Sequence, residues 1–152
     1  ILGNPGIVPD TCAIDFDLKF LPHEHSGDIR GEFEAWIARF AATDPWLREN
    51  PPQVIWDLHG LYFPPVNTPI DHELPRALEA SRAAAGLPVT FEGMLGVTDA
   101  AHYAARGIRG VVYGPVAANA HAPDEYVSIA SLEEATQVIA ATILRFCGLR
   151  AG

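Results

Sequence analysis

The stretch "IRGVVYGPVAANAHAPDEYVSIASLEEATQVIAATILRFCG" (108–148) decides the predicted fold. Residues 108–116 are rich in β-branched side chains, which favours a buried strand. Residues 131–148 have apolar side chains at helical spacing, with an S-x-x-E capping box at Ser131 and a terminating glycine at Gly148. The stripe predicted to face the core consists of Leu132, Ala135, Ile139, Ile143 and Phe146. A strand followed by a loop and a helix is typical of α/β layering.

The sequence before this stretch continues the alternation. "HELPRALEASRAAAG" (72–86) predicts a helix that Gly86 ends. "LPVTFEGML" (87–95) predicts a short strand, and "TDAAHYAARG" (98–107) predicts a short helix. Helices that alternate with strands over 62–152 predict an α/β fold around a mostly parallel sheet.

The first part of the chain has a different pattern. "CAIDFDLKFL" (12–21) alternates apolar and polar residues, which predicts a half-buried antiparallel strand. Residues 27–42 predict a helix and 53–60 a second strand. These elements predict an α+β unit over 1–61, and the proline-rich stretch 62–72 predicts the boundary with the α/β unit.

Composition limits the classes of function. The chain has 152 residues, 49% of them hydrophobic, and a formal net charge of -9, which indicates an acidic globular protein. Such a surface repels nucleic acid and anionic membranes, so neither is expected as a partner. The chain contains no apolar run of about 18 residues and no signal-peptide pattern, which predicts a cytoplasmic protein. Cys12 and Cys147 stand among apolar residues and are predicted to be buried thiols.

The beginning of the chain suggests a processed or cut polypeptide. The chain opens with Ile1, and its single methionine is Met94. We therefore expect it to be part of a longer protein.

His121 is the candidate metal ligand. It follows the predicted strand 108–116, and open α/β sheets bind ligands beyond the carboxyl ends of their strands. Imidazole is a common zinc ligand, and Asp124 and Glu125 are placed to orient it or its loop. The alternative is an ordinary polar loop, and the residue pattern leaves both readings open.

Thr98 and Asp99 form a second candidate site, because they follow the predicted strand 87–95 at the start of a helix. Free N–H groups at a helix start can bind a carboxylate, whereas Thr98 can also act simply as a capping residue. The remaining histidines that we considered are predicted to be surface or packing residues: His23, His25, His59 and His102.

Residues 96–148 resemble the C-terminal segment of the dinuclear-zinc amidohydrolases that include acetylornithine deacetylase, succinyl-diaminopimelate desuccinylase, aminoacylase and carboxypeptidase G. Thr98-Asp99, Gly114-Pro115 and "AHAPDE" (120–125) stand at the places of that family's motifs. "VPDTCAIDFDLKFLPHE" (8–24) is similar to a strand of the family's lid, or dimerisation, domain.

The resemblance implies a fold and an activity. Residues 1–61 would be the second half of a ferredoxin-like α+β lid, and 62–152 the rear part of a zinc-peptidase-like α/β catalytic domain. The enzyme would use two zinc ions to activate a water molecule for attack on the amide of an N-acyl amino acid-like small molecule. His121 would be a zinc ligand, and Asp124 and Glu125 would support it. The residues in or beside the substrate pocket would be Thr98, Asp99 and Gly114.

The resemblance also implies that this chain lacks most of the family's catalytic residues. We therefore expect a fragment that is inactive alone, holds zinc weakly or not at all, and needs its missing N-terminal part. The resemblance further implies a homodimer through the lid. Val116 and Lys19 replace a glycine and an arginine that are usual in the family, which leaves the substrate class open. The alternative is a non-catalytic dimerisation or small-molecule binding module.

Overall fold

The computed structural model describes Gly6, Val8 and residues 10–149, with the backbone alone for His59. Residues 1–5, Ile7 and Pro9 of the first predicted unit and residues 150–152 of the second lie outside the described residues. The elements in chain order are α1 (Ser26–Ala41), α2 (Pro45–Glu49), a 3₁₀ turn (Leu58–Gly60), α3 (Glu73–Ala84), α4 (Ala100–Ala104), β1 (Ala117–Ala118), β2 (Tyr126–Val127) and α5 (Ile129–Cys147). This mixed helix and strand content is compatible with the predicted α/β fold.

Helix α1 organises the first part of the chain through aromatic contacts. The Phe33 ring meets the Phe16 ring edge-on at 5.7 Å between centroids and the Trp56 ring at 5.6 Å. Both distances lie in the range that aromatic pairs prefer. The contacts bring segments on either side of α1 against the helix.

Helices α3 and α5 pack against each other and form the main core. Each contributes buried residues at helical spacing: Pro75, Leu78 and Ser81 from α3, and Ala135, Val138 and Thr142 from α5. Several of these side chains are small, which lets two helices approach closely. The predicted α5 stripe was wrong apart from Ala135, because Leu132, Ile139, Ile143 and Phe146 remain 42 to 54% exposed.

Glycines end α3 and α4 as the sequence predicts. Gly86 has a φ of +73°, and the Leu87 N–H donates to the Arg82 carbonyl at 3.0 Å. Gly107 has a φ of +76° and is followed by the equivalent bond from Ile108 to Tyr103, also 3.0 Å. This left-handed glycine closure satisfies carbonyls that the helix end would leave unpaired.

The strand predictions were wrong for four segments, 12–21, 53–60, 87–95 and 108–116. Within the described residues none of them belongs to a β-ladder, and the second ends in the 3₁₀ turn. A strand is stabilised by hydrogen bonds to a neighbour, whereas alternation and β-branching report only a local preference. Ile14 therefore stays 69% exposed instead of facing a core.

The prediction of buried cysteines was also wrong, since Cys12 and Cys147 are both exposed. Cys12 lies in an unpaired segment, and Cys147 is the last residue of α5, beyond its final buried side chain, Thr142. An apolar sequence context does not bury a thiol where no second element packs over it.

Candidate functional site

The loop that carries His121 is the turn of a β-hairpin placed directly before α5. Ala117 pairs with Val127 and Ala118 with Tyr126 in antiparallel register, so residues 119–125 close the turn. The Ser128 N–H donates to the Val116 carbonyl at 3.0 Å and extends the pairing toward the helix. The candidate residue therefore has a defined position at the hairpin tip.

Three residues of this turn adopt left-handed backbone angles. The φ values are +59° at Asn119, +61° at His121 and +59° at Asp124. Asn, Asp and His are the non-glycine residues that occupy this region most readily. The Asn119 Nδ2 group donates to the Asp124 carbonyl at 3.2 Å, and the Ala122 N–H donates to the Asn119 carbonyl at 2.9 Å. These bonds fix the backbone on both sides of His121.

The His121 imidazole is exposed and available to a ligand. Among the residues that the structure describes, none forms a hydrogen bond with this ring. The carboxylates of Asp124 and Glu125 are exposed as well, and neither is hydrogen-bonded to the imidazole. Their predicted orienting role therefore stays a prediction.

His121 fits a metal site as one ligand, since its side chain is exposed and no described residue forms a hydrogen bond with its ring nitrogens. The described part of the chain contains no group of three or more histidine, cysteine, aspartate or glutamate side chains that could hold a metal ion. In this structure the described residues therefore do not form a complete zinc site by themselves.

Ser131 anchors the hairpin to α5. Its Oγ accepts from the Val116 N–H at 2.9 Å and donates to the Ser128 carbonyl at 2.9 Å. Ser128 is the N-cap, and its Oγ accepts from the Ser131 N–H at 3.4 Å. The predicted cap at Ser131 was wrong because the helix already begins at Ile129, and the S-x-x-S spacing is the signal that could have revealed it.

Thr98 acts as a capping residue for α4. Its Oγ1 accepts from the Ala100 N–H at 3.2 Å, and its carbonyl accepts from the Ala101 N–H at 3.1 Å. Asp99 is exposed and makes no side-chain cap. No hydrogen bond among the described residues joins either of them to the His121 hairpin, so their predicted place in a pocket stays a prediction.

Gly114 is exposed, and a Cβ added there would meet no heavy atom within 4 Å. Its neighbour Tyr113 is held by Arg82, a residue that sequence reasoning missed. The Arg82 Nη1 atom donates to the Tyr113 hydroxyl at 2.8 Å, and its Nε donates to the Pro88 carbonyl at 2.9 Å. One guanidinium thus connects α3 to both segments that were predicted as strands beside the site.

Comparison with known proteins identifies relatives over nearly the whole chain. The family model described as peptidase family M20/M25/M40 matches residues 6–145. The chain is 32% identical over 153 residues to N-formyl-4-amino-5-aminomethyl-2-methylpyrimidine deformylase of Bacillus subtilis (strain 168), an alignment that covers 95% of this chain and 36% of the relative. It is 30% identical over 134 residues to succinyl-diaminopimelate desuccinylase of Xanthomonas campestris pv. campestris (strain B100), covering 86% of this chain and 32% of that protein.

The chain therefore spans about a third of the length of these curated relatives. No solved structure matches it at a comparable significance. Among the helices of the described residues, none combines the length and apolar character needed to span a membrane.

Proposed function

Since the chain belongs to peptidase family M20/M25/M40, we propose that it provides part of a metal-dependent amidohydrolase. In this proposal His121 is a zinc ligand, and the complete enzyme cleaves the amide of an N-acyl amino acid-like small molecule. The relatives named as a deformylase and a desuccinylase support the reaction class. They also support a small molecule, rather than a nucleic acid or a membrane, as the partner of the active site.

The exposed His121 imidazole at the tip of a tight hairpin is the observation that carries the proposal. A metal ligand must present a nitrogen lone pair outward and keep a fixed direction, because zinc sites tolerate little variation in geometry. The left-handed angle of His121 and the bond from Asn119 to Asp124 restrict the backbone around the ring. We propose that Asp124 and Glu125 orient the imidazole or its loop once a metal is bound.

A zinc ion held at this site would supply a coordinated water molecule of lowered pKa and would polarise the amide carbonyl. The residues of this chain would contribute binding and orientation. His121 would hold one metal, the Ser131 anchor would keep the hairpin in place, and Thr98, Asp99 and Gly114 would line the substrate pocket. The catalytic residues that complete the site would come from polypeptide outside this chain, which would then be inactive alone.

We further propose that residues 1–61 form half of a lid domain that dimerises, and that 62–152 form the rear of the catalytic domain. The aromatic contacts of α1 support this division, since Phe16, Phe33 and Trp56 all lie in the first part. The packing of α3 on α5 lies wholly in the second.

The test is His121→Asn in the protein encoded by the complete gene. Asparagine tolerates the left-handed backbone angle, so the hairpin should fold while the imidazole is lost. We expect reduced zinc content by elemental analysis and turnover of an N-acyl amino acid lowered by more than about 100-fold, since even outer-shell partners of a metal commonly contribute 10- to 100-fold.

The matched control is His25→Asn. His25 is an exposed histidine at the N-cap of α1, a position that asparagine also suits. This variant should keep its zinc and its turnover. Full zinc content and unchanged turnover in His121→Asn would remove His121 from the site. A wild-type protein with neither bound zinc nor turnover would instead favour the non-catalytic module.

A further inference from the structure

We propose that Arg30 is the latch of a conformational device at the junction between the two parts of the chain. The device consists of Arg30 on α1 and of residues 56–62, which we call the strap. The proposal does not depend on the hydrolase assignment, because it concerns how the strap is held against α1.

Arg30 contacts the strap near both of its ends. Its Nη2 atom lies 2.6 Å from the Asp57 Oδ1 atom. Its guanidinium carbon lies 5.1 Å from the centre of the Trp56 ring and 5.7 Å from that of Tyr62. Both ring distances permit a cation–π attraction. One side chain thus combines an ion pair with two aromatic contacts.

The strap contains a backbone conformation that needs such support. Asp57 has φ 54° and ψ 46°, the left-handed region, which non-glycine residues occupy only at a cost. The 3₁₀ turn Leu58–Gly60 follows, with the Gly60 N–H donating to the Asp57 carbonyl at 2.7 Å and the Leu61 N–H donating to Leu58 at 3.2 Å. A single 3₁₀ turn is only marginally stable by itself, so these two bonds should open more often once the strap is released from α1.

Apart from the contact of Trp56 with Phe33, apolar burial does not hold the strap in place. Leu58 is 45% exposed and Leu61 is 64% exposed. Among the described side chains, the other polar contact between the strap and α1 is the bond from Trp56 Nε1 to Glu34 Oε1 at 2.6 Å, at the first residue of the strap. Beyond Trp56, the position of the strap therefore depends mainly on Arg30.

The latch is only partly shielded from solvent. The side chains of Arg30 and Asp57 are 30% and 44% exposed, so salt weakens their attraction. Residues 62–72 lead directly from the strap to α3. Release of Arg30 would allow the strap to change direction relative to α1, and the latch therefore helps to set the path by which the chain reaches α3.

Hydrogen exchange at the Gly60 and Leu61 amides tests the latch in the protein encoded by the complete gene. We expect Arg30→Gln to accelerate exchange at both amides about tenfold, the combined effect of losing an exposed ion pair and a cation–π contact. Amides in the middle of α1 should be unaffected, which would exclude general unfolding. Unchanged exchange at Gly60 and Leu61 would overturn the proposal.

The matched control is Arg39→Gln. Arg39 lies on the same helix, is exposed, and forms no ion pair with any described residue, so its replacement removes the same charge without touching the strap. Exchange at the two strap amides should stay at the wild-type rate. An equal acceleration of exchange in this control would overturn the proposal, because the change in net charge would then explain the effect.

A salt titration of the wild-type protein gives an answer even if Arg30→Gln fails to fold. Raising NaCl from low concentration to about 1 M shortens the screening length to about 3 Å and should accelerate exchange at Gly60 and Leu61. Asp57→Asn removes the charge but keeps a residue that tolerates the left-handed angle. In this variant the Gly60 and Leu61 amides should exchange faster than in the wild type, and their exchange should lose most of its salt dependence. Wild-type exchange that does not respond to salt would overturn the proposal.

Discussion

Asn119, His121 and Asp124 occupy a rarely populated backbone region within one short turn. Two of the side chains have an identifiable part in the turn: the Asn119 amide donates to the Asp124 carbonyl, and the His121 ring is exposed to solvent. Strained positions persist where the surrounding structure determines them, here through the β1–β2 pairing and the Ser131 anchor. At the scale of single residues, the hairpin is thus built to present one imidazole.

Replacement of Asn119 tests how the turn is stabilised. Asn119→Ala loses the amide bond to Asp124 and adds the steric cost of a left-handed alanine, whereas Asn119→Gly loses only the bond. We expect both variants to be less stable than the wild type, with alanine about 1 kcal/mol worse than glycine. Urea denaturation followed by circular dichroism measures the difference, and equal stability would contradict the role given to the backbone angle.

Helices were the elements that the sequence predicted well. Residues 27–42 and 72–86 were predicted as helices, and the structure has Ser26–Ala41 and Glu73–Ala84. A helix depends on bonds between neighbours and on capping residues within the same segment, so a short window contains the necessary information. The four predicted strands depended on partners elsewhere in the chain, which a local pattern does not specify.

The face on which a helix packs was less predictable. Helix α5 is apolar on several sides, so the sequence offered more than one stripe. The face that α3 covers contains Ala135, Val138 and Thr142, rather than the larger Leu132 and Ile139. The partner surface of α3 decides between these faces, and that surface cannot be derived from α5 alone.

The candidate site was predictable in position and not in geometry. The sequence placed His121 in a loop before the last helix, and the structure has it in the turn before α5. The left-handed angles and the bond from Val116 to Ser131 were not foreseen, because composition does not specify backbone angles or long-range bonds.

Replacement by alanine should have opposite effects on stability at a glycine inside a helix and at a glycine just beyond a helix end. Gly86 has a φ of +73°, so Gly86→Ala strains the end of α3 and should cost about 1 kcal/mol. Gly31 lies inside α1, where alanine is the better helix former, so Gly31→Ala should stabilise by about 0.5–1 kcal/mol. Neither added Cβ meets a heavy atom within 4 Å, so the backbone conformation alone should determine the sign of each change in stability. Denaturation midpoints that shift in the same direction would contradict this account.

The whole molecule exposes far more surface than a compact protein of its size. Its accessible surface is 12484 Å², whereas a folded monomer of this length exposes about 7,500 Å². Large apolar side chains contribute to the excess, among them Ile14 at 69%, Ile55 at 76% and Leu95 at 82% exposed. Exposed apolar surface on this scale favours association.

We therefore expect this chain by itself to associate through its first part, in a concentration-dependent manner that sedimentation velocity detects. Ile55→Lys should weaken the association at least about tenfold, since burial of an isoleucine side chain contributes about 1.5–3 kcal/mol. The added positive charge reduces a net charge of -9 and by itself would favour association, so weakening must come from the lost apolar contact. Leu95→Lys makes the same charge change in the second part of the chain and should have little effect. A chain that stays monomeric at high concentration, or that responds equally to both substitutions, would contradict association through residues 1–61.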